Sequence, residues 1–308
     1  MDFYCFPIHI ALMWLLFLEG GASGTRFTLI NKCDYTVWPG ILANAGNSAM
    51  DSTGFELGPG GSRSFHAPPN WSGRLWGRTG CKFDPNTEKG SCSTGDCGSN
   101  QVECNGAGAS PPATLAEFTI GSTQDFYDVS LVDGYNIPMI VDPSGGSGTC
   151  GSTGCVADLN QRCPNELRVP DRAVCRSACE AFHSPQYCCS GAYASPATCK
   201  PSVYSQIFKT VCPKSYSYAY DDSTSTFTCS GADYTITFCP SSTSQKSATD
   251  SAPPAPPSGI ETGEMPLIVN SPWFPNFFSG LSSTMSHSCP LSMIVTLTML
   301  ILFSLQYS

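Results

Sequence analysis

Apolar and polar residues alternate most clearly at residues 234–238, YTITF, where Tyr234, Ile236 and Phe238 take one side and two threonines the other. Side chains on a strand point to opposite faces in turn, so this pattern reads as a half-buried β-strand. Residues 27–30 and 35–38 read as two more, separated by the polar stretch Asn31, Lys32, Cys33 and Asp34. In residues 74–78, RLWGR, the same alternation places Arg74, Trp76 and Arg78 on one face. Residues 114–120 and 126–132 form a further pair, the second closed by a turn at Asp133 and Gly134. Many short strands punctuated by turns predict a mainly β fold with a sandwich core.

Between Cys150 and Cys212 the alternation stops and cysteines crowd together. Asp171 is a suitable N-cap for a helix over residues 172–182, which would set Cys175, Cys179 and Phe182 on one face. A second short helix is expected over residues 205–211. This stretch reads as a loop-rich lobe fastened by disulfides and built onto the sandwich.

Both ends of the chain read as addresses. Residues 8–18, IHIALMWLLFL, are apolar but fall short of the roughly 20 residues that span a bilayer. Small residues follow as far as Gly24, so residues 1–24 are expected to be a secretory signal peptide. Residues 241–278 form a linker rich in Ser, Thr and Pro at its start, with little to bury. In residues 279–308 the small residues Ser279, Gly280, Ser282 and Ser283 precede a spacer and a terminal apolar run. That order fits a GPI-attachment signal, with a retained hydrophobic anchor or a soluble processed form as alternatives. No Lys or Arg follows Lys246, which disfavours a stop-transfer helix.

Composition narrows the function classes. With a net charge of −9 over 308 residues the chain lacks the basic footprint of a nucleic-acid binder. Of its 18 cysteines, Cys5 lies in the expected signal and Cys289 in the expected tail, leaving sixteen between Cys33 and Cys239. No CxxC pair occurs, and His66 and His183 are the region's histidines, so no metal or other cofactor is expected. An even cysteine set in a secreted region points to disulfides, with neighbouring Cys188 and Cys189 pairing to different partners. Gly146, Gly148 and Gly151 satisfy GxGxxG by letter, but no helical pattern follows, so a glycine-rich turn is expected. No GxSxG elbow supports a serine hydrolase. Asn70, in Asn-Trp-Ser, is an N-glycosylation acceptor. The stronger lead is acidic: Glu117 shares a strand face with Leu115 and Thr119, Asp128 lies mid-strand, and Asp133 follows. An Asp before Gly is ordinarily a turn former and an outward strand carboxylate is ordinarily solvated, so adjacency in sequence does not bring them together.

Residues 92–104, CSTGDCGSNQVEC, resemble the signature of the thaumatin-like family, matching Gly90 but carrying Glu88 where the full pattern has Gly. Residues 35–38, 76–81, 114–117, 128–139, 187–189 and 237–240 agree with the same family, and the likeness covers roughly residues 25–240. The resemblance implies a flattened β-sandwich or barrel core (residues 25–80, 113–154 and 213–240). It also implies a disulfide-rich loop and helix lobe (155–212) and a small third lobe (81–112). It further implies pairing of Cys33 with Cys239, Cys81 with Cys92, Cys97 with Cys104, Cys150 with Cys229, and Cys155 with Cys212. Within the disulfide-rich lobe it implies Cys163 with Cys175, Cys179 with Cys188, and Cys189 with Cys199. Matched by motif, the acidic interlobe cleft of carbohydrate-active members falls on Arg74, Glu117, Asp128, Asp133 and Asp221, with Asp222 an alternative to Asp221. The expected function is a secreted, monomeric, plant-type defence or wall protein that binds β-1,3-glucan and acts against fungi. Its other expected partner is the membrane, through the C-terminal lipid anchor. One competing expectation is a slow endo-β-1,3-glucanase, with Glu117 as acid and Asp133 or Asp128 as nucleophile or base. Another is a non-enzymatic inhibitor or ligand-binding surface module.

Overall fold

The computed structural model describes residues 24–241. The expected signal peptide, linker and anchor lie outside the described residues, apart from the boundary residues Gly24 and Ser241. Two five-stranded sheets dominate. One contains β1 (Arg26–Asn31), β3 (Ser62–His66), β9 (Met139–Ser144), β10 (Thr153–Cys155) and β12 (Asp233–Phe238), in the order β10-β9-β12-β1-β3. The other contains β2 (Val37–Ala43), β4 (Ser72–Thr79), β7 (Leu115–Thr119), β8 (Asp125–Ser130) and β11 (Phe227–Cys229), in the order β11-β8-β7-β4-β2. Pairing is antiparallel except between β1 and β12, whose parallel register sets Phe27 beside Tyr234 and Asn31 beside Phe238. The first and last strands of the domain therefore lie side by side. Just beyond them, Cys33 is bonded to Cys239 across a sequence separation of 206.

Alternation along these strands builds the core. Phe27 and Leu29 from β1, Phe118 from β7, Tyr127 and Val129 from β8, and Tyr234 and Ile236 from β12 are all buried in one cluster. Phe27 meets Phe118 edge-on with ring centroids 4.8 Å apart, and Phe118 meets Tyr234 at 5.2 Å, geometries that aromatic quadrupoles favour. On the opposite face of its sheet, Gly40 is required by close packing: a Cβ there would overlap the indole of Trp76 on the neighbouring strand.

Residues 35–38 depart from expectation. β2 starts at Val37, and Tyr35 is 43% exposed. The buried Asn31 amide explains this, donating to the carbonyls of Tyr35 and Leu57 while its oxygen accepts from the Cys33 N–H. Those bonds fold residues 31–35 into a turn before pairing begins. On β4, Arg74, Trp76 and Arg78 do share a face. Trp76 packs with Cys97, Cys104, Ala113 and Leu115 under a small lobe. That lobe carries the hairpin β5 (Lys82–Phe83) and β6 (Gly90–Ser91) and the disulfides Cys81–Cys92 and Cys97–Cys104. Arg78 is fully buried and donates to the carbonyls of Trp38, Pro39 and Val102, tying the lobe to the sheet; burial lowers its pKa to about 10.

The disulfide-rich lobe corrects the helix expected over residues 172–182. Only α1 (Ala178–Phe182) is helical; its N-cap is Ser177, whose hydroxyl accepts from the Glu180 N–H, and Asp171 sits at a positive φ of 60°. The reason is tertiary: the Cys175 N–H and carbonyl exchange hydrogen bonds with Tyr135 at 2.9 and 2.8 Å, holding that stretch extended. Cys175 therefore shares no helical face with Cys179 and Phe182. After α2 (Pro185–Cys188), the helix expected over residues 205–211 is α3 (Val203–Val211), extended at its start by a Ser202–Ser205 capping box. Disulfides Cys155–Cys212, Cys163–Cys175, Cys179–Cys188 and Cys189–Cys199 fasten the lobe, and Cys150–Cys229 closes the sandwich edge beside it.

Candidate functional site

Strand register creates the floor of the site. Arg74 on β4 stands directly opposite Glu117 on β7, and Glu117 directly opposite Asp128 on β8. Because the period is two, all three project from the sheet face turned away from the sandwich core. This face is the one that carries Trp76 and Leu115, two residues along, into the small lobe. Arg74 Nε lies 3.8 Å from Glu117 Oε1, and both side chains keep about a quarter or less of their surface, 21% and 25%. Asp128 is 3% exposed, and its Oδ1 is buried without a hydrogen-bond partner.

Like charges directly opposite one another destabilise a sheet. Burial raises both carboxyls of the Glu117 and Asp128 pair, and a carboxyl that keeps its proton escapes that repulsion. Burial raises the Glu117 pKa; the Arg74 guanidinium pulls it down, and Asp133 adds to the rise. Burial pushes Asp128 well above the usual carboxylate range, and the charges of Glu117 and Asp222 push it further, against Arg74. Asp133 enters from the turn after β8, where the Gly134 N–H closes onto the Leu131 carbonyl and Gly134 takes a φ of 86°. Its carboxyl is also raised by burial and opposed by Arg74. Arg74, Glu117, Asp128 and Asp133 thus form one electrostatic group.

Asp221 has a different place. Its carboxylate pairs with Lys209 at 3.0 Å and accepts from the Ser217 N–H, the Ser217 hydroxyl and the Thr224 hydroxyl. It organises the turn before α4 (Asp222–Ser225). Asp222 is the residue of that turn whose charge reaches Asp128; its Oδ1 accepts from the Tyr216 hydroxyl, which also bonds the Thr226 hydroxyl.

Glu180 was not singled out in the sequence. It lies on α1 in the disulfide-rich lobe, with its Oε2 buried and without a hydrogen-bond partner. Burial raises its pKa to about 7, against Arg176 and with a further push from Asp133. The sequence shows only an acidic residue in a first helical turn, where a solvated carboxylate is the ordinary outcome. Asn70 is exposed at a φ of 56°, in the turn that precedes β4.

Chemically, the site gathers three carboxyls, each raised by burial, beside one guanidinium. A protonated carboxyl donates a hydrogen bond and an ionised one accepts, so such a set matches a ligand dense in hydroxyls. Among the described residues, no group of three His, Cys, Asp or Glu side chains is placed to hold a metal ion.

The chain is 69% identical over 249 residues to thaumatin-like protein 1 of Arabidopsis thaliana, covering 78% of this chain and 95% of that protein. It is 58% identical over 233 residues to pathogenesis-related thaumatin-like protein 3.5 of Cryptomeria japonica, covering 75% and 96% of the two chains. Among solved structures, the thaumatin-like xylanase inhibitor TLXI matches at 27% identity with a TM-score of 0.40, over 70% of this chain and 99% of that one. The Thaumatin family model matches residues 31–240, which include both sheets from β2 onward, both lobes and every acidic residue of the site; the chain belongs to the thaumatin family.

Proposed function

We propose that this is a secreted defence protein that binds β-1,3-glucan through the acidic site. The observation that carries this reading is the cross-strand row of Arg74, Glu117 and Asp128, joined by Asp133, in which a buried carboxyl oxygen of Asp128 has no protein partner. A buried acceptor without a partner is costly unless a ligand or water satisfies it. A neutral polysaccharide supplies hydroxyls there without adding charge to a chain already at −9. The name of the Cryptomeria japonica relative, pathogenesis-related, supports the defence setting. Eight disulfides support an oxidising, extracellular one. Retention on insoluble β-1,3-glucan tests the reading: Glu117→Gln and Asp133→Asn should each elute earlier than the wild type. Unchanged retention of both would remove the site from glucan binding.

A second reading, slow endo-β-1,3-glucan hydrolysis, is favoured by the interaction of Glu117 with Asp133. Glu117 would hold the proton as general acid, and Asp133, whose rise Arg74 opposes, would act as nucleophile or base. Release of reducing ends from laminarin that survives Glu117→Gln would end that role. The same proposal takes residues 1–24 as a cleaved signal, residues 279–308 as a GPI signal, and Asn70 as glycosylated. Release from membranes by phosphatidylinositol-specific phospholipase and a mass shift with endoglycosidase are the corresponding checks; retention on the membrane would exclude the lipid anchor.

A further inference from the structure

We infer that Arg176 and Glu180, on the disulfide-rich lobe, form a second wall of the acidic site and contact the same saccharide that the sheet floor binds. The inference rests on the glucan-binding reading above and adds two ligand-contacting residues to it. Three polar atoms carry it: Asp128 Oδ1 in the floor, and Arg176 Nε and Glu180 Oε2 in the lobe. Each is buried without a hydrogen-bond partner in the protein. Folded chains seldom leave such atoms unpaired, and three of them where two regions meet point to a ligand that pairs them. Asp128 is 3% exposed, whereas Arg176 and Glu180 are half-buried, so the lobe's side chains can turn toward a ligand resting on the floor.

Backbone contacts set the wall beside the floor. Gly134, which follows Asp133, has no room for a side chain: a Cβ there would lie 2.7 Å from the Cys175 carbonyl oxygen. Tyr135 and Cys175 exchange two backbone hydrogen bonds, and the Cys163–Cys175 bond fastens that segment within the lobe. The turn that presents Asp133 is thus pressed onto the segment that leads into Arg176. Buried Ser177 then caps α1 and fixes its first turn, where Glu180 lies. Charge reports the same placement, since Asp133 raises the pKa of Glu117 on the sheet and of Glu180 on the lobe. Arg176 is near enough to pull the Glu180 pKa down, yet no ion pair joins the two. Its Nη2 donates to the Glu166 carbonyl at 3.1 Å, which leaves Nε for another acceptor. An N–H donor and a carboxyl held apart leave a place for a group that both accepts and donates, as a sugar hydroxyl does. An anionic ligand would satisfy Arg176 but meet Glu180, Asp133 and Glu117 as like charges, so a neutral glucan is the occupant that the whole set fits.

Calorimetry and hydrogen exchange on the full chain, with a β-1,3-linked glucose hexamer as ligand, test the inference. Glu180→Ala should weaken binding roughly five- to tenfold. Glu180→Gln keeps an acceptor in place and should lose much less. In the wild type the hexamer should slow exchange of the α1 amides together with those of β7 and β8. That measurement needs no substitution, so it decides the matter alone if a variant fails to fold. Unchanged affinity in folded Glu180→Ala, or ligand protection confined to the strands, would assign the unpaired lobe atoms to buried water. Either result overturns the second wall and leaves glucan binding by the floor intact. Absence of hexamer binding by the wild type overturns both.

Discussion

The sandwich and the disulfide-rich lobe reach stability by different means. Phe27, Phe118, Tyr127 and Tyr234 are at most 1% exposed and pack together across the two sheets. In the lobe, α1 and α2 bury no residue, and the Cys179–Cys188 bond joins them across a separation of 9 residues. One region is held mainly by apolar area removed from water; the other adds, to a smaller buried cluster that includes Leu159, Leu167 and Phe208, four disulfides that restrict the unfolded chain. The acidic site lies where they meet: its Arg74, Glu117 and Asp128 row is fixed by sheet register, while Glu180 approaches from the covalently fastened side. A rigid floor and a separately held wall allow several carboxyls to be packed together without the sheet having to absorb every repulsion.

The contrast breaks most visibly under substitution. Phe118→Ala should cost about 3–5 kcal/mol of global stability, measured by denaturant unfolding, because it opens a cavity among the rings of Phe27, Tyr127 and Tyr234. Replacing Cys179 and Cys188 by Ser should cost about 2–3 kcal/mol, a smaller figure befitting a short loop. Its signature should also be local: hydrogen exchange should accelerate around α1 and α2 while β1, β7 and β12 stay protected. Loss of protection in all of these together would show that the lobe and sandwich unfold as one unit and that the division is false.

The same division governs what the sequence reveals. The strands around Tyr234, Phe118 and Tyr127 are legible because burial on one face imposes a period of two, and that period survives any tertiary detail. The helix expected over residues 172–182 fails because Tyr135 captures the Cys175 backbone from a distant segment, an event that local propensity does not register. Tyr35 is misplaced for a similar reason, since one buried Asn31 amide outweighs an apolar pattern. At the site, Glu117, Asp128 and Asp133 stand out in the sequence as carboxylates on or beside strands, while Arg74 and the grouping of all four come from the family resemblance. Alternation alone puts Arg74, Glu117 and Asp128 each on a strand, and only the pairing register sets them in a row. Asp221 and Asp222 are adjacent and chemically equivalent in sequence; Lys209, twelve residues upstream of Asp221, is what draws the first away.

Charge in the floor sharpens the comparison further. A carboxyl held above its unfolded pKa binds its proton more tightly in the folded chain. Its stabilising contribution is complete below the unfolded value and disappears as pH rises toward the folded one. Asp128 is such a group. Asp128→Asn should therefore stabilise the fold at pH 7–8, by something on the order of 1–2 kcal/mol, and change little near pH 3. Thermal melts of both proteins across that range measure the difference. A variant less stable than the wild type at pH 8 would mean that the ionised Asp128 is stabilised by its surroundings.

The smallest expected effect comes from Glu180, and it tests whether the two regions share one electrostatic site. Its pKa lies above the ordinary value of 4.5, at about 7, because burial and the charge of Asp133 outweigh Arg176. Its contribution to stability is thus full below pH 4.5 and lost as pH rises to about 7. Partial solvent screening reduces the size to about 1 kcal/mol. Glu180→Gln should flatten the stability profile between those pH values. If Asp133 is part of the cause, the flattening should be smaller when Glu180→Gln is made in an Asp133→Asn background, a non-additivity that a double-mutant cycle reads directly. Strict additivity would confine Glu180 to its own lobe and reduce the site to what the sheet alone provides.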